Sequence, residues 1–526
     1  MINFEVIEIA QQVPPSGRNV AYLKADRWND YSFVTMFRLT IYDEDGGRQD
    51  IGDVRIGFKG QTADTTTCMR LTSRFSQLDD SYFSLGTDMA YYKSMHELDS
   101  SLRNNILVAL NDIVFKPSII EEINNEEVLR VSLLREQSLS TVKGQLSRVL
   151  EGKPPLSNFN FSFIRPERSQ MSEIRLDFNV KVNSTPSTNI HAIIGRNGVG
   201  KTTILNDMIG VVTSPEDSQS AFYDNSVTLI PRRGPQKIGG SYFSSLVSVS
   251  FSAFDPFKPP QEQPNPAKGT CYFYIGLKSQ DDPSKHCTID GLRRKCTDSL
   301  VDCFSNNKKV DRWEKAIEKL GSDENFAHMR LSMLKEKFDD LGEIASGDIA
   351  DIYHREVAPF LNTMSSGHAV VLLTITKLVA TVEEKTLVLL DEPESHLHPP
   401  LLSAFIRALS DLLYDRNGVA IIATHSPVVL QEIPKSCVWK ITRTGLSSSC
   451  QRPEIETFGE SVGVLTREVF GLEVIKSGFY DLLIKSVDRG NTYEEILLEY
   501  GEQLGIEGRS LLKVLTVLRD KRGASC

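Results

Sequence analysis

The chain has 526 residues, 40% of them hydrophobic, and a formal net charge of −10. That length and apolar content allow several packed units. The acidic balance argues against a surface coated for nonspecific nucleic-acid binding, though it leaves room for a local groove. No apolar run approaches the roughly 20 residues of a bilayer-spanning helix, and the first residues, Met-Ile-Asn-Phe-Glu-Val-Ile-Glu, lack a signal peptide's basic start and apolar stretch. A cytoplasmic protein without a membrane partner is expected.

Residues 1–155 read as an N-terminal α+β accessory region. Residues 33–42 and 53–58 have strand composition and flank the turn-rich Asp43-Glu-Asp-Gly-Gly47. From 98 to 115 the apolar residues Leu102, Ile106, Leu110 and Val114 recur at helical spacing up to Lys116-Pro117, and 119–150 continues in helical style. Nothing in this region carries catalytic chemistry.

After the break at Glu151-Gly-Lys-Pro-Pro155, residues 156–279 form the first half of a nucleotide-binding core. Residues 159–163 and 174–178 alternate as half-exposed strands. The apolar run 190–194 then leads into Gly195, Arg196, Asn197, Gly198, Val199, Gly200, Lys201 and Thr202, which fit G-x-x-x-x-G-K-[ST]. An apolar helix starting at Thr203 follows, so the strand–loop–helix context is the one a phosphate loop requires. Backbone N–H groups of such a loop surround phosphate oxygens, aided by the helix N-terminus. Lys201 would reach the β- and γ-phosphates, and Thr202 would hold Mg²⁺. Residues 227–230, 247–251 and 271–277 are further strand candidates, with a proline-rich surface loop at 255–266.

Residues 280–360 are charged and helical, with Trp313, Ile317, Leu320, Met329, Leu331 and Leu334 as seam residues. Heptads are not sustained, so a compact helical lobe is expected rather than a coiled-coil arm. The core resumes at 361–450. The runs 387–391 and 419–423 are continuously apolar, as in parallel strands covered on both faces, and residues 402–413 carry one apolar helix face between them. Asp391 and Glu392 end the first of these strands, placed for a Mg²⁺ contact and a general base. Residues 451–526 read as a helical tail. The eight cysteines contain no C-x-x-C; His286-Cys287, Cys296 and Cys303 match no metal-binding spacing and read as reduced thiols.

Met364-Ser365-Ser366-Gly367-His368 precedes a helix 24 residues before Asp391 and resembles the signature loop of ABC-type ATPases. Thr424-His425-Ser426-Pro427 stands where those proteins place a switch histidine, and Pro393-Glu-Ser-His-Leu-His-Pro399 where they place a D-loop. The chain thus resembles the SMC/RecF-like branch of ABC ATPases over about 157–450, less the insertion. The resemblance implies an α/β ABC/SMC-like head, with a mixed sheet flanked by helices, that dimerises head to head or assembles further on ATP and Mg²⁺. Catalytic roles fall to Lys201, Glu392 and His425 and metal binding to Thr202 and Asp391. ATP contacts come from 195–203 and, across the dimer, from Ser365, Ser366 and Gly367. The strand-end glutamine of ABC heads is absent: the region reads Ser250-Phe-Ser-Ala-Phe-Asp255, leaving Asp255 or Ser252 as substitutes. His396 and His398 are assigned to packing and the dimer contact rather than to a metal; His368 receives no catalytic role.

Within that branch the chain looks similar to the ATPase subunit of Septu anti-phage systems (PtuA), also found beside retron reverse transcriptases. The similarity rests on residues 457–471 and on Phe83-Ser-Leu-Gly86 and Tyr91-Tyr92. It implies an ATPase that controls a partner HNH nuclease through the tail 451–526, with a reverse transcriptase and its DNA or RNA product as further partners. Two alternatives stay open: a RecF-like repair ATPase on duplex DNA, and a scaffold that holds ATP without hydrolysing it.

Overall fold

The computed structural model describes residues 2–523 except 27–32, 136, 138, 169–171, 227–234, 240–241, 253–254, 281, 283–284, 345–348 and 471–477. The strand expected at 227–230 lies outside the described residues. The chain divides into two units, Met1–Ser157 and Asn158–Cys526.

The first unit is a six-stranded sheet of order β5-β1-β2-β3-β4-β6, formed by β1 (Asn3–Ile7), β2 (Val20–Ala25), β3 (Met36–Tyr42), β4 (Arg48–Phe58), β5 (Arg74–Phe75) and β6 (Tyr82–Gly86). The β3–β4 turn closes where the sequence places it. Asp43 Oδ1 accepts from the N–H groups of Asp45 and Gly47 at 3.0 and 2.7 Å, and Gly46 takes a φ of 86°, which only glycine adopts without strain. Helices α1 (Thr67–Arg70), α2 (Met89–Glu97) and α3 (Ser100–Ala109) follow in sequence, and Tyr91, Tyr92, Met95 and Ile106 share a core with Leu39, Val54, Ile56 and Phe83.

The helix read over 98–115 stops at Ala109. Asn111 has φ 49°, and its amide donates to the carbonyls of Asp79 and Tyr82 at 2.9 and 3.1 Å. A short polar side chain that satisfies itself locally can hold the left-handed region, and that ends the helix. The segment 119–150 is likewise broken, into α4 (Ile119–Ile123), α5 (Leu139–Thr141), α6 (Ser147–Leu150) and two wider turns at Leu129–Leu133 and Val142–Leu146.

The second unit begins with β7 (Phe159–Arg165) and β8 (Ile174–Val180), then β9 (Ile190–Gly195), α7 (Lys201–Thr213), β10 (Ala221–Asp224), β11 (Gln236–Lys237), β12 (Ser245–Ser250) and β13 (Cys271–Gly276). Helices α8 (Ile289–Phe304), α9 (Asn307–Leu320), α10 (Glu324–His328), α11 (Met333–Ile344), α12 (Ile349–Leu361) and α13 (Ser366–Thr381) lead into β14 (Thr386–Asp391). The core closes with α14 (Pro399–Asp415), β15 (Val419–Thr424), α15 (Pro427–Gln431), β16 (Val438–Thr444) and β17 (Ser447–Gln451).

The seven-stranded sheet has the order β13-β12-β14-β15-β9-β16-β17. It is parallel except for the edge hairpin β16–β17. Alternate residues serve opposite faces, as strand geometry requires. Val388, Leu390, Ala420 and Ile422 join one apolar core, while Leu387, Leu389, Ile421 and Ala423 join the other with α7 residues Ile204, Leu205 and Met208. That second core also takes Phe161, Phe163, Leu176 and Phe178 from the smaller antiparallel sheet β11-β10-β7-β8. β7 is therefore buried nearly throughout, not half-exposed, because it lies inside its sheet between β10 and β8. The unit is a mixed α/β fold with sheets flanked by helices.

Residues expected to form a compact helical lobe share the first of these cores. Leu300, Trp313, Leu320 and Tyr353 belong to the same cluster as Val247 and Leu390, and the Trp313 indole N–H donates to Thr376 Oγ1 on α13 at 3.0 Å. Cys296 and Cys303 are buried on α8 among them, and burial pushes both thiols up to about 12. In the tail, helix Val462–Phe470 adds Leu465 and Val469 to the core that contains Leu390, while helices Phe479–Asp488, Tyr493–Glu499 and Ile506–Gly523 enclose a small core of Leu483, Val487, Ile496 and Leu512.

Candidate functional site

The parallel register brings Asp391 beside Ala423 and Ser250, and Thr424 beside Ile194. The carboxyl ends of β9, β12, β14 and β15 thus converge on one crevice, the usual ligand position in an open α/β sheet. From β9 the chain enters the glycine-rich loop, where Gly198 and Gly200 take φ values of 80° and 97° with open space where a Cβ would stand. At Gly195 the constraint is space: a Cβ would lie 2.4 Å from the Ile441 carbonyl oxygen.

Lys201 opens α7 and is 5% exposed. Its ammonium donates to the carbonyls of Gly195 and Arg196 at 3.0 and 3.3 Å. Burial pulls its pKa down, against the opposing influence of Glu392, Asp391 and Glu394. Asp391, 7% exposed, is pushed up to about 7 by burial, despite a hydrogen bond from Thr202. One oxygen, Oδ1, is buried without a hydrogen-bond partner.

A carboxylate so placed beside a hydroxyl is a hard-oxygen donor set suited to Mg²⁺. Thr202 and Asp391 would hold the ion, and it would supply charge neutralisation on phosphate oxygens. Asp255 and Ser250 line a small cavity with Asp391, and Asp255 also raises the Asp391 pKa. Of the two substitutes for the missing glutamine, Asp255 is therefore the one that lines a cavity with Asp391.

Glu392 follows with φ 46°, an unusual backbone for a non-glycine residue, and its N–H donates to the Ala423 carbonyl at 2.9 Å. Its carboxylate lies 3.5 Å from His425 Nδ1. The two shift each other as ion partners do: His425 holds the Glu392 carboxyl below its usual range, and Glu392 raises the imidazole. Glu394 was not singled out by motif reading, yet it organises this corner. Its Oε1 accepts from Thr424 Oγ1 at 2.7 Å and from the His425 N–H at 2.8 Å, and it lies 3.3 Å from His425 Nδ1. Its place in the run Asp391-Glu-Pro-Glu394 was the available signal; its burial, at 9% exposed, shows only in the fold.

Arg196, Asn197, Gly198, Val199 and His425 line an open cleft of about 580 Å³, completed by Arg443 and Gly445 of the β16–β17 hairpin. Within that hairpin the apolar spacing of 438–442 suits a strand, whereas β17, rich in serine, carries no apolar alternation.

Lys201, Thr202, Asp391, Glu392 and His425 thus form one group; Thr203 lies in the first turn of α7 beside it. Ser365, Ser366 and Gly367 form another. Ser365 caps α13 by accepting from the His368 N–H at 3.4 Å, and its hydroxyl meets His368 Nδ1 at 2.7 Å. Ser366 is exposed. Gly367 abuts the loop after β14, where its Cβ would stand 2.5 Å from the His396 carbonyl oxygen. The segment 393–398, which leaves Glu392 toward α14, passes between the two groups: Glu394 meets His425 on one side, and the His396 carbonyl and the His398 ring meet Gly367 and His368 on the other.

Residues 334–431 match the family model described as "AAA domain, putative AbiEii toxin, Type IV TA system", which spans the signature-like loop, β14 and the His425 corner. Among solved structures, the SMC head domain from Thermotoga maritima covers 57% of this chain and all of its own length, at 11% identity and a TM-score of 0.28. A putative metal-chelate type ABC transporter covers 56% of this chain and 84% of its own, at 15% identity and a TM-score of 0.27. At those scores the fold rests on the topology described above. Among the described residues no helix is long and apolar enough to cross a membrane. The likeness to an AAA domain is thus confined to residues 334–431. The chain is 51% identical over 527 residues to protein ea59 of Escherichia phage lambda, covering 99% of each chain, and it belongs to the ea59 family.

Proposed function

We propose that the protein binds MgATP at the Lys201–Asp391 crevice and hydrolyses it. The observation that carries this reading is the buried Asp391 oxygen without a partner, set beside Thr202 and Lys201 at the mouth of a glycine-rich loop. Lys201 and the loop N–H groups hold the β- and γ-phosphates. Glu392, kept ionised by His425, takes the proton of the attacking water as that water's oxygen bonds to the γ-phosphorus and the bond to the β-phosphate oxygen breaks. His425 is positioned to respond to the γ-phosphate. Ser365, Ser366 and Gly367 serve the nucleotide of a second copy in a head-to-head pair.

The same site drives a partner in this proposal: an HNH nuclease engaged by the tail, in an anti-phage complex of Septu or retron type. Support comes from the tail helices, which expose Leu482, Leu498, Ile506 and Val514 at 54%, 71%, 87% and 55%. Exposed apolar side chains gathered on one small segment mark a protein-binding surface. Nucleotide turnover would act by its different affinity for restrained and released states of the partner.

Purified protein tests the first part. ATP turnover abolished in both Lys201→Ala and Glu392→Gln, with ATP retained by Glu392→Gln, supports it; equal turnover in all three proteins removes it. Affinity capture of the tagged protein from its own cells tests the second. A co-purifying HNH nuclease, lost on removal of residues 478–526, supports the partner reading; chromosomal DNA without a nuclease favours the RecF-like alternative.

A further inference from the structure

Three side chains far apart in sequence converge beside the signature-like loop: Asp323 ahead of α10, His368 in the first turn of α13, and His398 ahead of α14. One ligand atom from each lies within 4.8 Å of the others. His368 Nε2 is 3.8 Å from Asp323 Oδ1, and His398 Nε2 is 3.4 Å from Asp323 Oδ2. These separations are too long for good hydrogen bonds. The shorter equals the roughly 3.3–3.5 Å edge between neighbouring ligands of a tetrahedral ion bound at 2.0–2.2 Å, and the longer exceeds it by a few tenths of an ångström, a gap that a small turn of the Asp323 carboxylate closes.

Two further observations point to a ligand. Asp323 and His368 side chains are only 8% and 12% exposed, and His368 Nε2, aimed into the cluster, is buried with no hydrogen-bond partner. The other ring nitrogen, Nδ1, meets Ser365 Oγ at 2.7 Å, which can accept a hydrogen bond from Nδ1–H and so favour the tautomer whose Nε2 carries a lone pair. Metal-bound histidines are commonly oriented by such an outer contact. His398 Nδ1 accepts from the Leu401 N–H at 3.4 Å, a contact that metal binding through Nε2 would release. The loss is small, because Pro399 and Pro400 have no N–H and α14 begins with few donors to satisfy.

We propose that Asp323, His368 and His398 bind one divalent transition-metal ion of the zinc class, with the fourth position open to water. Two imidazoles and one carboxylate select zinc, cobalt or nickel over Mg²⁺, which prefers oxygen ligands alone. The ion fastens the starts of α13 and α14 to α10, so it fixes the signature-like loop against the loop that follows Glu392. The site is separate from the MgATP crevice and is read without nucleotide, so it stands or fails independently of the ATPase proposal.

Full-length protein dialysed against a chelator and titrated with Co²⁺ tests it. The expected result is one ion per chain, displaced by Zn²⁺, with the visible bands of tetrahedral cobalt and X-ray absorption showing nitrogen and oxygen ligands only. In the double variant Asp323→Asn/His398→Asn both helix caps keep a competent side chain. Its affinity should fall by more than the roughly 10- to 100-fold that loss of an outer contact brings. Absence of binding by the wild-type protein at micromolar Co²⁺, sulfur coordination from the cysteines, or undiminished binding in the variant would each overturn the proposal. Should the variant fail to fold, the wild-type stoichiometry and ligand type decide alone.

Discussion

The His425 backbone N–H donates to Glu394 Oε1 at 2.8 Å, so the residue after β15 is held in place by a side chain from the loop after β14. The same oxygen takes the Thr424 hydroxyl. Glu394→Ala would leave a buried hydroxyl and an N–H without an acceptor, at a local cost of about 1–3 kcal/mol. His425 would then drift from Glu392. The expected outcome in steady-state kinetics is a kcat for ATP reduced by up to about 100-fold, the scale of a 1 Å misplacement, with KM little changed. An unchanged kcat would show that the Glu394 contact does not position the site.

Gly367 meets the His396 carbonyl so closely that an added Cβ would stand 2.5 Å from it. The obstacle is backbone and cannot rotate away. Gly367→Ala should therefore push the signature-like loop off the 393–398 segment. ATP binding by Lys201 should persist, measured by equilibrium dialysis, while turnover that depends on protein concentration disappears.

Asp391 is a buried carboxylate with one oxygen unpartnered, which destabilises the protein when no cation is present. Asp391→Asn should raise the melting temperature of the nucleotide-free protein and abolish the further rise that MgATP brings to the wild type. Differential scanning fluorimetry with and without MgATP reads both.

In the first unit, burial pushes the Asp112 carboxyl up to about 6, with the Tyr92 hydroxyl donating to it at 2.9 Å. A carboxyl whose pKa is raised on folding holds its proton more tightly in the folded state than in the unfolded one. Stability from this group is therefore present at acid pH and is lost as pH rises from about 4 to 6. Asp112→Asn should remove that pH dependence. Hydrogen exchange of the β6 and α2 amides across this range measures it; an unchanged slope in the variant would rule Asp112 out.

Much of the candidate site was legible because each part is local in sequence. The glycines, Lys201 and Thr202 occupy consecutive positions, and Asp391 and Glu392 end a run whose apolar character marks a covered strand. Asp323, His368 and His398 were not legible together, because only the packing of α10 against the starts of α13 and α14 joins them. The stop at Ala109 was hidden for another reason: Leu110 and Val114 continue the helical spacing, and the break depends on carbonyls from 79 and 82 that receive the Asn111 amide. β17 escaped notice because an exposed edge strand of serines needs no apolar pattern to pair with β16.

The burial of Trp313 in the core that also contains Leu390 bears on how this chain can change over generations. A loop excursion from a head can be shortened, lengthened or exchanged between lineages at little cost. Helices 289–361 cannot, since removing them would bare the apolar faces of α13 and α14 that share the core with Leu390. Descendants of this chain must inherit the segment and the site as one piece, and recombination breakpoints should avoid everything between β13 and β14.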